Sequence, residues 1–126
     1  MSFVYYNANP VNKRTSDCTV RAISKAMNQT WEDTYADLCM VSYYLHEMPS
    51  TNNSWDEYLQ MNGFKKQYIP NTCPRCYTIS DFCREHPYGT YILATGSHVV
   101  AVVNGNYYDT WDCGDEVPVF YWRKEI

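Results

Sequence analysis

The sequence has no run of basic residues and no apolar stretch approaching the length of a membrane span. Lys and Arg number 10 against 14 Asp and Glu, a formal net charge of −4. That balance argues against nucleic acid as the main partner. A membrane-spanning helix needs about 20 predominantly apolar residues, so no membrane partner is expected. The N-terminal MSFVYYNANP has no basic region followed by a long apolar run, so it does not read as a signal peptide. The expected location is the cytoplasm. There, the six cysteines are expected to be free thiols, metal ligands or a nucleophile rather than disulfides. Repeats, low-complexity tracts and a domain linker are also missing. A chain of 126 residues is therefore expected to form one domain, residues 1–126, around one core.

What is present is aromatic. Thirteen Tyr and four Trp are expected mainly in the core and on amphipathic surfaces, with a ligand groove as the sharper alternative. In chain order, Ser2 to Tyr6 reads as a short strand and Asn7 to Ser16 as a polar loop. A helix runs from Cys18 to near Asn28. Thr30 with Asp33 is a capping pair opening a second helix, whose inward face is expected to carry Trp31, Tyr35, Leu38, Cys39 and Leu45. His46 stands near its end, where a positive charge is favourable. Ser54 is expected to cap a third helix that Gly63 stops. Phe64 to Ile69 reads as a strand, and Thr78 with Asp81 as a capping pair for a helix from Ile79 to about His86. Strands follow at Thr90 to Ala94, His98 to Val103, Asn106 to Trp111 and Val117 to Arg123. Helices first and antiparallel strands last is the pattern of an α+β fold.

The strongest local signal is Asn104-Gly105 between two apolar runs, a hairpin turn in which both central residues need positive φ. With a two-residue turn, Val103 faces Asn106 and His98 faces Trp111. Asp109 then lies opposite Val100, diagonal to His98 and within reach of its ring. A three-residue loop with a bulge would bring Asp112 opposite His98 instead, because one residue of slip swaps the faces.

An imidazole–carboxylate pair suggests a nucleophile, and Cys18 is the candidate. Val20, Ala22, Ile23, Ala26 and Met27 follow it in a helical pattern, and Ser16 or Asp17 can cap that helix. Cys18 then falls in the first turn, where the helix dipole and free N–H groups favour a thiolate. Its own N–H would be one oxyanion donor. Arg21, one turn on, would either raise the thiolate population or pair with a surface acid, whereas Asp17 opposes the thiolate. Cysteine at a helix start with histidine and acid on a later hairpin is the nucleophile–base–orienter constellation.

That order resembles the papain-like cysteine peptidase superfamily. Asp17-Cys18 opens a helix, His98 opens an apolar strand, and Asp109-Thr110-Trp111 is similar to the family's Asn-Ser-Trp element. The whole chain also resembles small proteins of gut bacteria and their phages that share the DCxxRAI start and the GTYIL…HVVAVV…YD-Ser/Thr-W end. The resemblance implies an α+β, papain-like fold with N-terminal helices packed on a C-terminal antiparallel sheet. It implies a cysteine hydrolase acting on a peptide or protein substrate, with Cys18 as nucleophile, His98 as general base, Asp109 as orienter and Trp111 as a shield over their hydrogen bond. The family places a polar oxyanion donor about six residues before the cysteine, and Asn12 stands there. No cofactor is implied.

Cys73, Cys76, Cys83 and His86 carry a competing signal, with the ligand types of a structural zinc site. The alternative is that Cys83 packs in the core with Ile79 and Phe82 while His86 ends the helix. Two other functions stay open: a catalytically inactive binding protein on the same fold, and a small zinc-stabilised interaction module.

Overall fold

The computed structural model of the chain describes residues 2–125. At its middle stands the expected hairpin, β4 (Val99–Val103) paired antiparallel with β5 (Asn106–Asp109). Val103 lies opposite Asn106, Val102 opposite Tyr107 and Ala101 opposite Tyr108. The turn is Asn104 at φ 50° and Gly105 at φ 78°, the left-handed pair that a tight hairpin requires. One more step in that register sets Asp109 across from Val100. The strand proper begins at Val99, so His98 stands just before it.

The hairpin belongs to a six-stranded sheet of order β1-β5-β4-β3-β6-β2. β3 (Thr90–Ala94) lies between β4 and β6 (Phe120–Lys124), antiparallel to both. Both faces of β3 and β4 are buried. Ile92, Ala94, Val99 and Ala101 enter one core, while Tyr91, Leu93, Val100 and Val102 enter another. Double coverage explains why these strands are continuous apolar runs rather than alternating ones.

Three helices cover the first face: α1 (Cys18–Met27), α2 (Trp31–Leu45) and α3 (Asn52–Met61). They contribute Val20, Ile23, Leu38, Trp55 and Leu59 to the core. α4 (Ile79–Glu85) covers the opposite face with Ile79, Phe82 and Cys83. The fold is α+β as expected. The sheet, however, is neither wholly C-terminal nor wholly antiparallel. β1 (Phe3–Tyr5) pairs parallel with β5, and β2 (Phe64–Tyr68) closes the other edge against β6. The parallel pairing positions the site. Tyr5 is matched to Asp109, so the chain leaves β1 at the Asp109 end of the sheet and α1 starts there.

Local chemistry accounts for the helix ends. Thr30 Oγ1 accepts from the Asp33 N–H at 3.1 Å, and Thr78 with Asp81 forms a reciprocal capping box. Thr51, rather than Ser54, caps α3, and Ser54 is the residue whose N–H it receives. Gly63, at φ 86°, follows the end of α3, and His46 ends α2 in a left-handed conformation. The inward face of α2 also differs from expectation. It carries Thr34, Leu38, Val41 and Ser42, whereas Tyr35 and Leu45 are 46% and 40% exposed. Small hydroxyl side chains let α1 approach closely, and the Ser24 hydroxyl donates to Thr34 Oγ1 at 2.8 Å. The last strand starts at Phe120 rather than Val117. Pro118 is fully buried in the preceding segment and has no N–H to give a ladder. Among the described residues, no helix is long and apolar enough to cross a membrane.

Candidate active site

The loop between β1 and α1 is tied down by Asn9, a buried residue. Its Oδ1 accepts the Val11 and Lys13 N–H groups at 3.1 and 3.3 Å. Its Nδ2 donates to Asp17 Oδ2 at 3.3 Å. Asp17 stands at the N-cap, but its side chain makes no capping bond. Instead Asp17 also accepts from Trp31 Nε1 and from Arg21 Nε, each at 3.0 Å. The first intrahelical bond runs from Arg21 N–H to the Asp17 carbonyl. The N–H of Cys18 lies ahead of it, at the end of the helix where such groups are unclaimed by the helix itself.

At this point α1 meets the hairpin. His98 Nε2 lies 2.5 Å from Asp109 Oδ2. Nδ1 is the ring nitrogen left for the thiol, and Cys18 is hydrogen-bonded to His98 and to the Val99 N–H. Trp111 packs on the ring with centroids 4.9 Å apart. Cys18, His98 and Asp109, separated by as many as 91 positions in the sequence, are thus brought together. Asp112 is not part of this group. It accepts from the Tyr107 hydroxyl at 2.5 Å and from the Gly114 N–H at 3.0 Å.

Asp109 is nearly inaccessible and accepts on both oxygens. Oδ1 takes Arg21 Nη1 at 3.3 Å and the Thr110 N–H at 2.7 Å. Oδ2 takes His98 and also the Cys113 thiol, at 3.3 Å. Only an ionised carboxylate offers acceptors to all four. Burial raises its pKa, but the His98 hydrogen bond and the Thr110 N–H lower it further, and the net direction is down. For His98, burial opposes the charged ring, yet hydrogen bonds to Asp109, Cys113 and Cys18 outweigh it and the pKa is pushed up to about 11. Burial likewise opposes the Cys18 thiolate. The bonds from His98 and Val99, with the charges of His98 and Arg21, turn its pKa below the ordinary value. Both shifts favour a thiolate–imidazolium pair over the neutral one. Arg21 does what the sequence offered as alternatives: it favours the thiolate, and it pairs with acids, although those acids are buried rather than on the surface.

Cys18 sits where two cavities meet. One, of about 350 Å³, also has His98, Thr95, Lys66, Phe120 and Trp122 in its wall. The other, of about 660 Å³, is lined by Trp31, Tyr35, Leu38 and Met48. Asn12 borders neither. It faces a third cavity beyond Asp17, with Arg14 and Trp111. Its φ is 52°, and its Oδ1 accepts from Asn7 Nδ2 at 3.5 Å. The structure therefore places Asn12 as an exposed turn residue and does not bring it to the thiol.

The zinc ligands do not assemble. Cys83 is buried with Ile79 and Phe82, and His86 Nδ1 bonds the Phe82 carbonyl at 2.8 Å while its ring stacks on Phe82. Cys73 and Cys76 are exposed. Among the described residues, the one group of metal-ligand side chains with all atoms within 4.8 Å is His98, Asp109 and Cys113. Two ligands each about 2.0 Å from a tetrahedral zinc would stand roughly 3.3 Å apart. The 2.5 Å separation of His98 and Asp109 is that of a hydrogen bond instead.

Sequence reasoning missed Cys113 and the Asn9–Asp17–Trp31 support. Asp17 and Arg21 four apart on a helix carried a readable signal; Cys113 and Asn9 carried none. No protein-family model, curated protein or solved structure matches the chain.

Proposed function

We propose that the chain is a small papain-like cysteine hydrolase, a peptidase or amidase that cleaves a peptide or isopeptide bond through a thioester. The observation that carries the reading is the convergence of Cys18, His98 and Asp109 at a cavity wall, with the imidazole between thiol and carboxylate. The Cys18 thiolate attacks the amide carbonyl, and the oxyanion forms beside the Cys18 N–H. Imidazolium His98 gives its proton to the leaving amine as the C–N bond breaks, leaving an acyl thioester. Neutral His98 then takes a proton from water, whose hydroxyl attacks the thioester. The acid departs and the thiolate–imidazolium pair returns. Asp109 holds the ring in the tautomer that points Nδ1 at sulfur and stabilises its charge.

The test is slow alkylation of the folded protein with iodoacetamide from pH 5 to 9, with each cysteine read by peptide mass. Cys18 is expected to label far faster than Cys39 below pH 7, and His98→Ala to remove that advantage. Equal reactivity of Cys18 and Cys39 would overturn the hydrolase reading in favour of an inactive binding protein.

A further inference from the structure

Lys66 lies in the wall of the cavity that holds Cys18 and His98. Its ammonium sits over aromatic faces, 4.5 Å from the Phe120 centroid, 5.5 Å from Trp122 and 5.8 Å from Tyr68. Among the described residues it forms no salt bridge. Asp56 shares the cavity but is not among the ion pairs of the described residues. Its Oδ1 accepts from Trp122 Nε1 at 2.7 Å and from Gln60 Nε2 at 3.1 Å. A half-buried ammonium held by rings, with no carboxylate of its own, lacks a charged acceptor. The cavity supplies room for one.

We infer that this cavity is a substrate subsite for a carboxylate, which Lys66 receives while the scissile amide lies at Cys18. The inference rests on the hydrolase reading and adds the chemical class of the substrate. The sheet sets the spacing. Val99 is paired with Ala94, and Ala94 with Phe120. Two strand spacings, about 10 Å, therefore separate the strand carrying His98 from the ring under the Lys66 ammonium. An extended peptide covers that in about three residues. The carboxylate is thus a free chain terminus or an acidic side chain two to three residues from the reacting carbonyl. Phe120 and Trp122 flank it and strengthen the attraction by keeping water from one side.

The experiment compares four alkylators on the folded protein in low salt: chloroacetyl-glycyl-glycine, its C-terminal amide, chloroacetyl-glycyl-glutamic acid α-amide (side-chain carboxylate free) and chloroacetyl-glycyl-glutamine α-amide. In each, sulfur displaces chloride, and Cys18 labelling is read by peptide mass. An anion is expected to label Cys18 about fivefold faster than its neutral partner, the scale of a partly exposed ion pair. The advantage is expected to shrink with added salt, to vanish in Lys66→Gln and to survive in Lys66→Arg. An advantage in the glycine pair identifies a chain terminus; one in the glutamate pair identifies a side chain. A ratio near one in the native protein, or one unchanged in Lys66→Gln, overturns the subsite. The ratio compares probes on one thiol, so it tests Lys66 whatever activates that thiol. Loss of the His98 dependence of labelling by the neutral probes would overturn the hydrolase reading instead.

Discussion

The guanidinium of Arg21 joins Asp17 to Asp109. Nε donates to Asp17 at 3.0 Å, and Nη1 donates to Asp109 at 3.3 Å and to Thr110 Oγ1 at 2.9 Å. All three charged side chains are largely buried. One residue thereby locks the start of the nucleophile helix to the strand that carries the orienting acid. Removing it leaves Asp17 buried without a cation and Asp109 with His98 as its remaining one, a loss of about 3–5 kcal/mol. Arg21→Ala is expected to destabilise the fold by that amount in urea unfolding. Arg21→Lys is expected to restore part of the stability, because a point charge cannot span both acids as a planar fork does.

Asp109 and Asp112 are separable by one conservative change each. In Asp109→Asn, one side of the amide must present N–H groups to donors. With its oxygen toward Arg21 and Thr110, its nitrogen faces His98 Nε2 and forces the proton onto Nδ1, the nitrogen that must receive the thiol proton. The expected loss is about 10²- to 10⁴-fold in turnover, the scale of a wrong tautomer in a catalytic triad. Cys18 labelling below pH 7 is expected to fall about tenfold or more, the lower end of that scale. Asp112→Asn, whose partners are Tyr107 and Gly114, is expected to leave labelling within about twofold, since it never touches the ring.

The site was legible where it was local. Asn104-Gly105 marked the hairpin, but the choice of Asp109 over Asp112 rested on the Asp109-Thr110-Trp111 resemblance, because a bulged loop would have swapped the faces; the structure has the two-residue turn. Thr30-x-x-Asp33 and Thr78-x-x-Asp81 marked helix starts through the same short-range chemistry. What failed was long-range. The parallel pairing of β1 with β5 joins segments about a hundred residues apart, and nothing in Phe3–Tyr5 names its partner. The inward face of α2 was misjudged because Thr34 and Ser42 enter the core as small spacers that bond α1 or their own helix, against their usual exposure. Asn12 was placed by a family spacing, and the loop around Asn9 folds differently from that spacing's assumption.

Gly105 tests how strictly the hairpin is set. Its φ is 78°, and a Cβ there would lie 3.3 Å from both the Cys83 carbonyl and Pro87 Cα. A left-handed non-glycine residue costs about 1–2 kcal/mol, and the backbone of α4's end has little room to yield. Gly105→Ala is expected to lower stability by about 1–3 kcal/mol in equilibrium unfolding. Gly96→Ala is the control, since no heavy atom lies within 4 Å of its Cβ position, and it is expected to be near neutral. Equal effects would refute the close packing of the hairpin tip on α4.

The pH dependence follows from the directions of three shifts. The His98 ring is raised from 6.5 to about 11. Its contribution to stability is therefore complete below about pH 6.5 and lost as pH rises through about 11. Asp109 is lowered from 3.8. Its contribution is present above that value and lost as pH falls through the lower, folded one. Cys18 is lowered from 9.0, so its thiolate persists below pH 9 as long as His98 remains charged. The inflection of Cys18 alkylation should accordingly lie below that of an ordinary thiol. In His98→Ala the bonds that lower the Cys18 pKa are reduced to the Val99 N–H and the distant charge of Arg21, against unrelieved burial, so the inflection should move up in pH. A Cys18 profile that rises with that of Cys39 and is unmoved by His98→Ala would show that thiol and imidazole titrate independently.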